Sequence, residues 1–417
     1  MNILMMTNSY KPFIGGVERS IETFCTEMQE HGHTVLIVAP EFGSHNGDEE
    51  PVIRIPAIPR FNGTDFSVPL PIPALLEKKL DAFQPDIVHA HHPFLLGDTA
   101  LRIAARRFLP MVFTHHTYYE DYTHYVPGDS KPLKRFIIKL GTGFANMCDH
   151  VIAPSRSVSD TLKQRGVTTP VSIIPTGIDV NRFAGGNGDR IRNEFGLSKS
   201  DFILGFISRI APEKNMVFLV QTVIAFLRQY SQAHFILAGS GPALRYVNDL
   251  FEVSGVGDRY HQLGVLEKQR LADAYRSFNL FVYASKTETQ GMVIAEAMAA
   301  GLPVVALDAS GVRDILIDGE NGRIVRNQNT DDFVQALEWY YNLPVQEKNL
   351  IKQKARISAS NVTKEHCTKK LLSIYSELCS DFVFTNNSQA HSQWEEAKAL
   401  IKREMKIISN YSSSQMN

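Results

Sequence analysis

Two glutamates with seven residues between them, Glu288 and Glu296, are the side chains best suited to binding a ligand rich in hydroxyl groups. Residues 292–300 are apolar or strong helix formers apart from Glu296, and a carboxylate is costly to bury there without a hydrogen-bonding partner. We therefore expect Glu296 to face a ligand and to accept hydrogen bonds from its hydroxyl groups. Glu288 precedes this helix, in a loop that points to the same ligand. The alternative for Glu296 is a solvated helix face, but this helix has almost no polar face.

Two cations, Arg209 and Lys214, follow a separate buried strand and could bind one diphosphate together. Arginine presents a planar fork to phosphate oxygens, whereas lysine acts as a point charge. Surface cations are common, so a solvated loop is the alternative. The position of both residues directly after a strand favours the diphosphate interpretation.

Glycines follow two further strands. Gly15 and Gly16 stand where the loop after the first strand opens into a helix, and Gly239 follows a strand in the second half. Backbone N–H groups at a helix N-terminus can approach a phosphate when glycine leaves the space, and the helix dipole favours the anion. A flexible turn explains the first pair equally well, and a packing turn explains Gly239 nearly as well. The spacing matches neither GxGxxG nor GxxxxGKS/T, which counts against a nicotinamide dehydrogenase and a P-loop ATPase.

The segment 114–125 also follows a predicted strand, and it is dense in hydrogen-bonding aromatic and ionisable side chains. Sites for sugars or polar headgroups need such groups. A structural role is the preferred interpretation for His91 and His92, and it is the alternative for His115 and His116.

The elements that must position these residues are short runs rich in Val and Ile, which alternate with helix-length segments. Such alternation predicts βαβ units around a parallel sheet, so the fold class is α/β. The first series of predicted strands is Asn2–Met6, Thr34–Ala39, Asp86–Ala90, Met111–Thr114, His150–Ala153 and Val171–Ile174. The second series is Phe202–Ser208, His234–Ala238, Leu280–Ala284 and Pro303–Leu307. The repeat predicts two doubly wound, Rossmann-like domains.

The predicted domain boundaries follow from this repeat. Residues 1–180 form the first domain, 202–375 form the second, and the glycine- and charge-rich stretch 181–201 is interpreted as a linker. Residues 376–417 are predicted to be helical. In the last helix, the stripe expected to face the core is Ala397, Ile401 and Ile408. Doubly wound sheets bind ligands at the ends of their strands, so we expect the two domains to face one another across a cleft.

The composition is that of an ordinary soluble globular protein, with 43 basic and 44 acidic residues among 417 and 44% hydrophobic residues. The length suits two domains, because single cores stop growing at about 250–300 residues. A net charge of -1 counts against a nucleic-acid partner, whose binders are usually strongly basic. The four cysteines include no CxxC pair, which indicates neither a zinc site nor a disulfide framework and favours a reducing cytoplasm.

Membrane contact, if it occurs, is expected to be peripheral. The apolar start of the chain, Met1–Met6, is too short for a signal peptide, and no run approaches the roughly 18–20 apolar residues of a spanning helix. The segment 130–140 is basic and amphipathic, which suits the surface of an anionic bilayer. Its cations are Lys131, Lys134, Arg135 and Lys139. An ordinary surface helix is an equally good interpretation.

Taken as a set, these motifs resemble those of the retaining nucleotide-sugar glycosyltransferases of family 4, which have the GT-B fold. The features that carry the resemblance are the E-x7-E pair, Arg209, Lys214, the Gly15–Gly16 loop and the repeated α/β domains. The resemblance extends from the start of the chain to about Tyr375. The family usually has E-G-F-G after the first glutamate, whereas this sequence has E-T-Q-G at 288–291. That variant is similar to the branch that glycosylates diacylglycerol, which shifts the expected acceptor and leaves the donor site unchanged.

The resemblance implies transfer of a hexose from a nucleotide diphosphate sugar, with UDP-glucose favoured, to a membrane lipid such as diacylglycerol. It implies that 1–180 bind the acceptor, that 202–375 bind the nucleotide sugar, and that 376–417 pack back on the first domain. The residues assigned to acceptor binding are Tyr10, His116, Tyr119 and Asp121. The residues implied for catalysis are His116, Arg209, Lys214 and Glu288. Those implied for donor binding are Gly15, Gly16, Arg209, Lys214, Gly239, Val265, Leu266, Glu288, Gln290, Gly291 and Glu296.

Within that site, Glu296 is expected to bind the ribose and Glu288 the hexose. The backbone around Val265 and Leu266 is implied to contact the nucleobase, and His116 to lie beside the transferred sugar. No second carboxylate stands out in the first half as a nucleophile. The resemblance therefore implies that the departing phosphate takes the acceptor proton on the same face of the sugar.

The resemblance implies no cofactor, because the nucleotide sugar is a substrate. It implies no metal either, since there is no Asp-x-Asp pair and two cations can do a metal's electrostatic work. The expected partners are the nucleotide sugar, a lipid or sugar acceptor and an anionic membrane surface, without nucleic acid. The expected location is the cytoplasm, peripheral on the inner face of the cell membrane. The alternatives are a soluble or polysaccharide-precursor sugar acceptor, a nucleotide-sugar epimerase of the same fold, and a noncatalytic binding subunit.

Overall fold

The computed structural model describes residues 1–13, 15–42, 50–58, 68–69, 76–125, 129–386 and 393–415. It divides the chain into two compact units. The first unit comprises Met1–Gly177 and Lys364–Asn417, and the second comprises Ile178–Thr363. Each unit has its own parallel sheet and its own apolar core. The prediction of an α/β fold with two Rossmann-like domains is confirmed.

The first unit is built around a seven-stranded parallel sheet. The strands in chain order are β1 Asn2–Met6, β2 Thr34–Pro40, β3 Val52–Ile55, β4 Ala57–Ile58, β5 Val68–Pro69, β6 Ile87–Ala90, β7 Met111–Thr114, β8 His150–Ala153 and β9 Val171–Ile173. The order in the sheet is β3-β2-β1-β6-β7-β8-β9, and β4 pairs with β5 in a separate ribbon. The helices that follow these strands are α1 Gly16–Glu30, α2 Glu77–Phe83, α3 Leu96–Arg107, α4 Lys131–Ala145 and α5 Arg156–Gln164.

Helices cover both faces of this sheet, because its strands are apolar on both faces. Successive side chains of a strand point to opposite faces. Ile3 and Met5 of β1 belong to the core beneath α1, whereas Leu4 and Met6 belong to the core beneath α3. The continuous apolar runs in the sequence are therefore strands buried on two sides.

The second unit repeats this plan around a six-stranded parallel sheet. Its strands are β10 Phe202–Ile207, β11 Ala233–Ala238, β12 Tyr260–Gly264, β13 Leu280–Tyr283, β14 Val304–Leu307 and β15 Gly322–Val325. Their order in the sheet is β12-β11-β10-β13-β14-β15. Its helices are α6 Val180–Ala184, α7 Gly188–Glu194, α8 Met216–Gln229, α9 Leu244–Glu252, α10 Lys268–Ser277, α11 Met292–Ala299, α12 Ser310–Arg313, α13 Thr330–Tyr341 and α14 Val345–Ser360.

The order of the strands identifies one switch point in each sheet. In the first sheet β1 lies between β2 and β6, and in the second sheet β10 lies between β11 and β13. Connections on the two sides of such a strand run to opposite faces, which opens a crevice at the carboxyl ends of the strands. The loops after β1 and β6, and those after β10 and β13, are therefore the positions where each unit can hold a ligand.

The stretch 181–201, predicted to be a linker, is instead part of the second unit. It contains α7 and most of α6, which pack against α10 and α11. A Cβ atom on Gly186 or Gly188 would lie 2.3 Å from the carbonyl oxygen of Ala272 or Arg276. Glycine is needed here for close helix packing and not for flexibility, which is why the glycine content gave a wrong boundary.

The chain returns to the first unit at Lys364, earlier than the predicted boundary at 376. The returning helices are α15 Lys364–Asn386 and α16 Gln393–Gln415. At the start of α15, Lys364 Nζ lies 2.6 Å from the buried carboxylate of Glu27 in α1. Further along the chain, α16 packs against α3 and α4. The two helices thus cover opposite faces of the first sheet.

The buried face of α16 differs from the predicted stripe. Ile401 and Ile408 are 56% and 64% exposed, whereas Ile407 is 3% exposed and packs in the core of the first unit. The side chain of Ala397 lies outside the described residues. Apolar residues occur on both sides of this helix, so periodicity alone could not identify the face that α3 and α4 cover.

The sequence analysis missed the two short strands of the separate ribbon, β4 and β5, and three strands of the large sheets, β3, β12 and β15. β12 and β15 are the edges of the second sheet and β3 is an edge of the first. Edge strands do not need apolar residues on both faces. The sequence of β12, YHQLG, therefore lacks the apolar run that marks a buried strand.

Among the described residues, no helix is long and apolar enough to cross a membrane. In the same part of the chain, no group of three or more His, Cys, Asp or Glu side chains is arranged to hold a metal ion.

The first prediction concerns the packing of β10. A Cβ atom on Gly205, within this strand, would lie 1.9 Å from the ring of Phe278. Gly205→Ala should therefore lower the free energy of unfolding by about 1–3 kcal/mol, the usual cost of overpacking a core. Gly141→Ala in α4 is the matched control, because no atom lies within 4 Å of its Cβ position and alanine favours a helix. Urea unfolding measures both variants, and equal stabilities would contradict this packing.

Candidate functional site

Lys214 and Glu288 meet at the switch point of the second sheet. Lys214 ends a short 3-10 helix after β10, and Glu288 lies in the loop after β13. The distance from Lys214 Nζ to Glu288 Oε2 is 3.4 Å. Tyr283, the last residue of β13, accepts a hydrogen bond from Lys214 Nζ at 3.0 Å and donates one to Glu288. The structure thus brings together two of the predicted site residues and adds a third.

The carboxyl group of Glu288 is held in its charged form. Burial by itself would raise its pKa, but the charge of Lys214 and hydrogen bonds from Tyr283 and two backbone N–H groups outweigh burial and hold the pKa below its ordinary value. The N–H groups belong to Gly291, at 3.0 Å, and Gln290, at 3.5 Å. Burial and the charge of Glu288 raise the pKa of Tyr283, so its hydroxyl stays protonated as a donor.

The loop after β11 supports the loop after β10 through backbone contacts. The Ile210 N–H donates to the carbonyl of Ser240 at 2.9 Å, and the Ala243 N–H donates to the carbonyl of Ile210 at 3.0 Å. Gly239 has a φ of +130°, and a Cβ atom there would lie 1.9 Å from the carbonyl oxygen of Ser208. Only glycine permits this approach. The packing turn that was the alternative for Gly239 is present, and its contact with a donor stays a prediction.

The short helix α12, which follows β14, supports the loop that carries Glu288. The Gly311 N–H donates to the carbonyl of Glu288 at 2.8 Å, and a Cβ atom on Gly311 would lie 2.4 Å from the backbone nitrogen of Gln290. Gly291 then begins the turn into α11 with a φ of +78°. Arg209, directly after Ser208, is half-buried in the neighbouring loop. Arg209, Gln290 and Gly291, which are predicted to contact the donor, lie at the same edge of the sheet.

Glu296 has a partner inside the second unit. Its side chain, on α11, is 5% exposed and accepts a hydrogen bond from the hydroxyl of Tyr275 on α10 at 2.8 Å. A carboxylate in an apolar helix needs such a donor. Tyr275 supplies one hydrogen bond that the sequence analysis assigned to a ligand, and the ribose contact of Glu296 stays a prediction.

The predicted nucleobase contacts, Val265 and Leu266, follow β12 at the same end of the sheet. Gly264 turns the chain with a φ of +65°, and its carbonyl accepts from the Gly239 N–H at 2.7 Å. Val265 is exposed and Leu266 is buried. The loops after β10, β11 and β12 are therefore joined by backbone hydrogen bonds into one row.

In the first unit, Glu18 lies at the N-terminus of α1 beside the predicted phosphate-binding glycines. Gly15 precedes the helix and Gly16 begins it. The carboxyl group of Glu18 accepts from the hydroxyl of Ser9 and from the N–H groups of Gly15 and Glu18, as acidic groups do at helix N-termini. Burial nevertheless raises its pKa. Glu18 thus accepts from one N–H group that was assigned to a diphosphate, that of Gly15, and the donor role of Gly15 and Gly16 stays a prediction.

His116 lies beside His91, a histidine for which a structural role was preferred. Both follow strands of the first sheet, β7 and β6, and the distance from His91 Nδ1 to His116 Nε2 is 2.9 Å. His92 accepts from the N–H of Asn8 at 3.2 Å, which joins the loops after β1 and β6. The histidines that follow β6 therefore lie at the switch point of this sheet and not in its core.

The remaining residues assigned to acceptor binding differ in their surroundings. Tyr119 is half-buried, and its hydroxyl donates to the carbonyl of His91 at 3.3 Å. Asp121 is half-buried in the same 3-10 helix, and its N–H donates to the carbonyl of Tyr118 at 3.0 Å. Tyr10 is 5% exposed and belongs to the apolar core beneath α1. The Arg54 guanidinium lies over its ring, 5.9 Å from the ring centroid, and the assignment of Tyr10 to acceptor binding stays a prediction.

The cations predicted to contact a membrane lie on α4. Ser130 begins this helix by accepting from the N–H of Leu133 at 3.3 Å. Leu140 and Phe144 are buried on one side of the helix. The exposed cations are Lys131, Arg135 and Lys139, and Lys134 Nζ lies 3.8 Å from Asp129. The helix thus packs on its own unit and also presents a basic surface.

Tyr283, Tyr275 and Gly311 are the site residues that the sequence analysis missed. The sequence contains a feature that could have identified Tyr283, because it is a polar aromatic residue at the end of an aliphatic strand and just before a candidate loop. No such feature marks Tyr275 or Gly311, because their contacts join elements that are distant in the sequence. Tyr283 and Gly311 contact Glu288, and Tyr275 contacts Glu296.

Comparisons with known proteins agree with this geometry. The sequence model described as Glycosyltransferase Family 4 matches residues 14–182, and the model described as Glycosyl transferases group 1 matches residues 187–357. An alpha-monoglucosyldiacylglycerol synthase of Streptococcus pneumoniae is 30% identical over 407 residues, which are 93% of this chain and 88% of that protein. A protein of the same name from Acholeplasma laidlawii is 28% identical over 394 residues, or 91% and 97% of the two chains. The structure of HepE from Anabaena in complex with UDP-glucose has a TM-score of 0.70 and 19% identity, and covers 90% of this chain and 99% of its own.

The second prediction concerns the charge of Glu288. Its pKa lies below the unfolded value of about 4.3, so its charge contributes stability that is complete above that pH and is lost as the pH falls through the folded pKa. The stability advantage of the wild type over Glu288→Gln should therefore stay constant from pH 7 to about 4.3 and shrink as the pH is lowered further. Exposed Glu252→Gln is the control. An advantage that does not shrink below about pH 4.3 would contradict the ion pair.

Proposed function

Because the chain belongs to glycosyltransferase family 4, the retaining glycosyltransferases of the GT-B fold, we propose that it transfers glucose from UDP-glucose to a membrane lipid such as diacylglycerol. The observation that carries the donor half of the proposal is the contact of Lys214, Tyr283 and Glu288 at the switch point of the second sheet. A cation and an ionised carboxylate fixed side by side suit a ligand that has both phosphates and hydroxyl groups.

In this proposal the second unit binds the donor. Arg209 and Lys214 neutralise the diphosphate, and Glu288 accepts hydrogen bonds from the hexose hydroxyls. Glu296 binds the ribose, and the turn at Val265 and Leu266 holds the nucleobase. The backbone of Gly239 approaches the diphosphate.

The proposed reaction has one bond breaking and one bond forming at the anomeric carbon. The bond from that carbon to the diphosphate oxygen breaks, and its electron pair leaves with the diphosphate. An acceptor hydroxyl oxygen bonds to the same face of the sugar, and its proton passes to the departing phosphate oxygen. Fixed positive charge near that oxygen stabilises the transition state more than the ground state, because the negative charge on the oxygen grows as the bond breaks. No metal or cofactor is required by this scheme.

Two observations support a lipid acceptor. Two relatives that cover 91% and 93% of the chain are named alpha-monoglucosyldiacylglycerol synthase, and α4 presents a basic, partly apolar surface. We therefore propose a cytoplasmic enzyme that acts peripherally at an anionic membrane. The second candidate is a soluble or polysaccharide-precursor sugar acceptor, which the same donor site would serve equally well.

Release of UDP from UDP-glucose tests the proposal. Release should be slow without an acceptor, fast with diacylglycerol in vesicles, and little changed by soluble sugars. The lipid product should carry an α-linked glucose, because the reaction retains the configuration. Fast release with a soluble sugar and none with vesicles would favour the second candidate. No release from any nucleotide sugar would contradict the assignment of the donor site.

The third prediction concerns the phosphate contacts. Lys214→Ala should lower kcat and kcat/KM together, because the lost contact strengthens in the transition state. The expected loss is at least about 2–3 kcal/mol, on the scale of one oxyanion contact. Arg209→Ala should behave in the same way, and exposed Lys199→Ala is the control. Full turnover in both site variants, with normal folding, would remove the diphosphate assignment.

The fourth prediction concerns the basic surface of α4. The residues replaced together by glutamine are Lys131, Lys134, Arg135 and Lys139. Vesicle binding should rise with the anionic lipid content and fall with added salt, since such attraction is screened over about 8 Å at physiological ionic strength. The variant should bind vesicles more weakly than the wild type, and should keep its turnover of a short-chain soluble acceptor.

The control for that variant replaces exposed cations elsewhere by glutamine: Lys163, Lys199, Lys369 and Lys370. It matches the change in net charge, so it separates the α4 surface from the overall charge of the protein. Co-sedimentation with anionic vesicles measures both variants. Equal loss of binding in the two would show that α4 has no special role.

A further inference from the structure

Five basic side chains lie together at the amino end of the second sheet, opposite the end that carries Lys214 and Glu288. Three of them follow one another at single-turn spacing on α14, and the others lie on α7 and α10: Lys348, Lys352, Arg356, Arg192 and Arg276. Residues four apart on a helix are neighbours on its surface. α10 leads into β13, and α11, which packs against α14, leads into β14. The group therefore lies where these two strands begin.

The guanidinium groups of Arg276 and Arg356 both lie at the end of α11. Arg276 Nη1 donates to the carbonyl of Ala300 at 2.8 Å. Arg356 lies against the next residue, because a Cβ atom on Gly301 would be 2.6 Å from Arg356 Nε. Consecutive Cα atoms are about 3.8 Å apart, so the two guanidinium groups are neighbours. Burial lowers the pKa of Arg276, and the charge of Arg356 lowers it further.

Lys352 and Arg356 carry charges that this part of the protein does not balance. In the ranges that the structure describes, neither side chain makes an ion pair or donates a hydrogen bond to a protein group. Lys354, on the opposite side of α14, does have a carboxylate partner, since its Nζ lies 3.5 Å from Glu320. The unpaired charges therefore lie on the side of α14 that is nearest to Arg276.

Lys352 shows the electrostatic cost of this arrangement. Its side chain is half-buried. Burial lowers the pKa of its ammonium group, and four neighbouring cations lower it further: Arg276, Arg356, Lys348 and Arg192. Asp201 and Asp189 partly offset the effect of burial on the pKa of Arg192. Like charges held this close repel one another, and a bound anion would remove that cost.

Cations at the C-terminal ends of helices interact favourably with the helix dipole, and this explains part of the group. Arg192 Nε donates to the carbonyl of Ser277, the last residue of α10, at 3.0 Å, and Arg276 caps α11 in the same way. Lys352 and Arg356 make no such contact with the part of the chain that is described. Helix capping therefore leaves both of their charges unexplained.

We propose that Arg276, Lys352 and Arg356 bind a phosphate group at the amino end of the second sheet. Two guanidinium forks and an ammonium group can donate several hydrogen bonds to the phosphate oxygens and balance their charge. The site is separate from the donor site, which lies at the carboxyl ends of the strands, so it does not rest on the proposed function. A free phosphate compound and the headgroup of an anionic phospholipid present the same chemical group, and the test has an arm for each.

Isothermal titration calorimetry of the full chain with inorganic phosphate is the first arm. The test variant combines Lys352→Gln with Arg356→Gln. The matched control combines Lys354→Gln with exposed Lys199→Gln, which removes the same charge. The Kd for phosphate should rise at least about tenfold in the test variant, on the scale of one hydrogen bond to a charged group, and should stay unchanged in the control.

Lys214→Ala separates this site from the donor site, where phosphate is also expected to bind. Binding of phosphate at the α14 site should be the same in this variant as in the wild type. Phosphate binding that is lost in Lys214→Ala and unchanged in the test variant would overturn the proposal and would leave the donor site intact.

Co-sedimentation with vesicles of phosphatidylglycerol and phosphatidylcholine is the second arm. Weaker vesicle binding by the test variant than by the charge-matched control, without a response to inorganic phosphate, would identify a lipid headgroup as the source of the phosphate group. A response in the calorimetry alone would identify a free phosphate compound. Equal behaviour of the test variant and the control in both arms would overturn the proposal.

Thermal unfolding at pH 7 adds a readout that needs no binding signal. In buffer of low ionic strength without phosphate, Lys352→Gln should have a higher Tm than the wild type, because it removes one of the repelling charges. Added phosphate should then raise the Tm of the wild type more than that of the variant, since a ligand of the folded state stabilises it. A lower Tm in Lys352→Gln, with an unchanged response to phosphate, would give Lys352 a structural role and contradict the site.

Discussion

The charge of a largely buried carboxylate, Glu288, is the constraint on which the second unit's site depends. Removing water from a carboxylate is costly unless other groups replace the lost hydrogen bonds and charge. Here the replacements come from three places: Lys214 after β10, Tyr283 at the end of β13, and the N–H groups at the start of α11. All three must converge within hydrogen-bonding distance. The charged form of Glu288 therefore requires the strand order that places β10 beside β13. It also requires the glycines that let the loops approach one another.

The loops themselves are held by backbone contacts more than by side chains. Gly239 and Gly311 each lie where a Cβ atom would overlap a neighbouring backbone atom, so successive loops share hydrogen bonds instead of standing apart. This arrangement fixes the positions of Lys214 and Glu288 before any ligand binds. A site that is rigid in advance stabilises a transition state better than one that must reorganise, because the dipoles are already oriented.

The first unit uses the same sheet topology for a different electrostatic problem. Its switch point holds His91 and His116 in place of an ion pair, and burial keeps the pKa of both rings well below the ordinary value, so they are neutral and no counter-charge is needed. Tyr375 reaches the neighbouring His89 from α15. The return of the chain to the first unit therefore contributes to these histidines as well as to the apolar core.

Much of the fold and part of the site could be predicted from local sequence. Buried parallel strands such as β1 and β10 are continuous apolar runs, because helices cover both of their faces, and candidate residues directly after such strands lie at one edge of a sheet. Lys214 and Glu288 were found in this way. Edge strands, the helices at 181–201 and the buried face of α16 could not be found, because their signals depend on which neighbour packs against them.

The sequence by itself determined the fold class, the family and the candidate residues Lys214 and Glu288, since these depend on periodicity and on residue types at fixed spacing. Only the tertiary structure decided which neighbours surround the candidate residues. It packed Tyr10 in the core beneath α1, gave Glu296 a partner in Tyr275, and set the carboxyl group of Glu18 against the N–H group of Gly15. The reason is physical: burial and hydrogen-bond partners come from residues that are distant along the chain, and no local pattern records where those residues will lie.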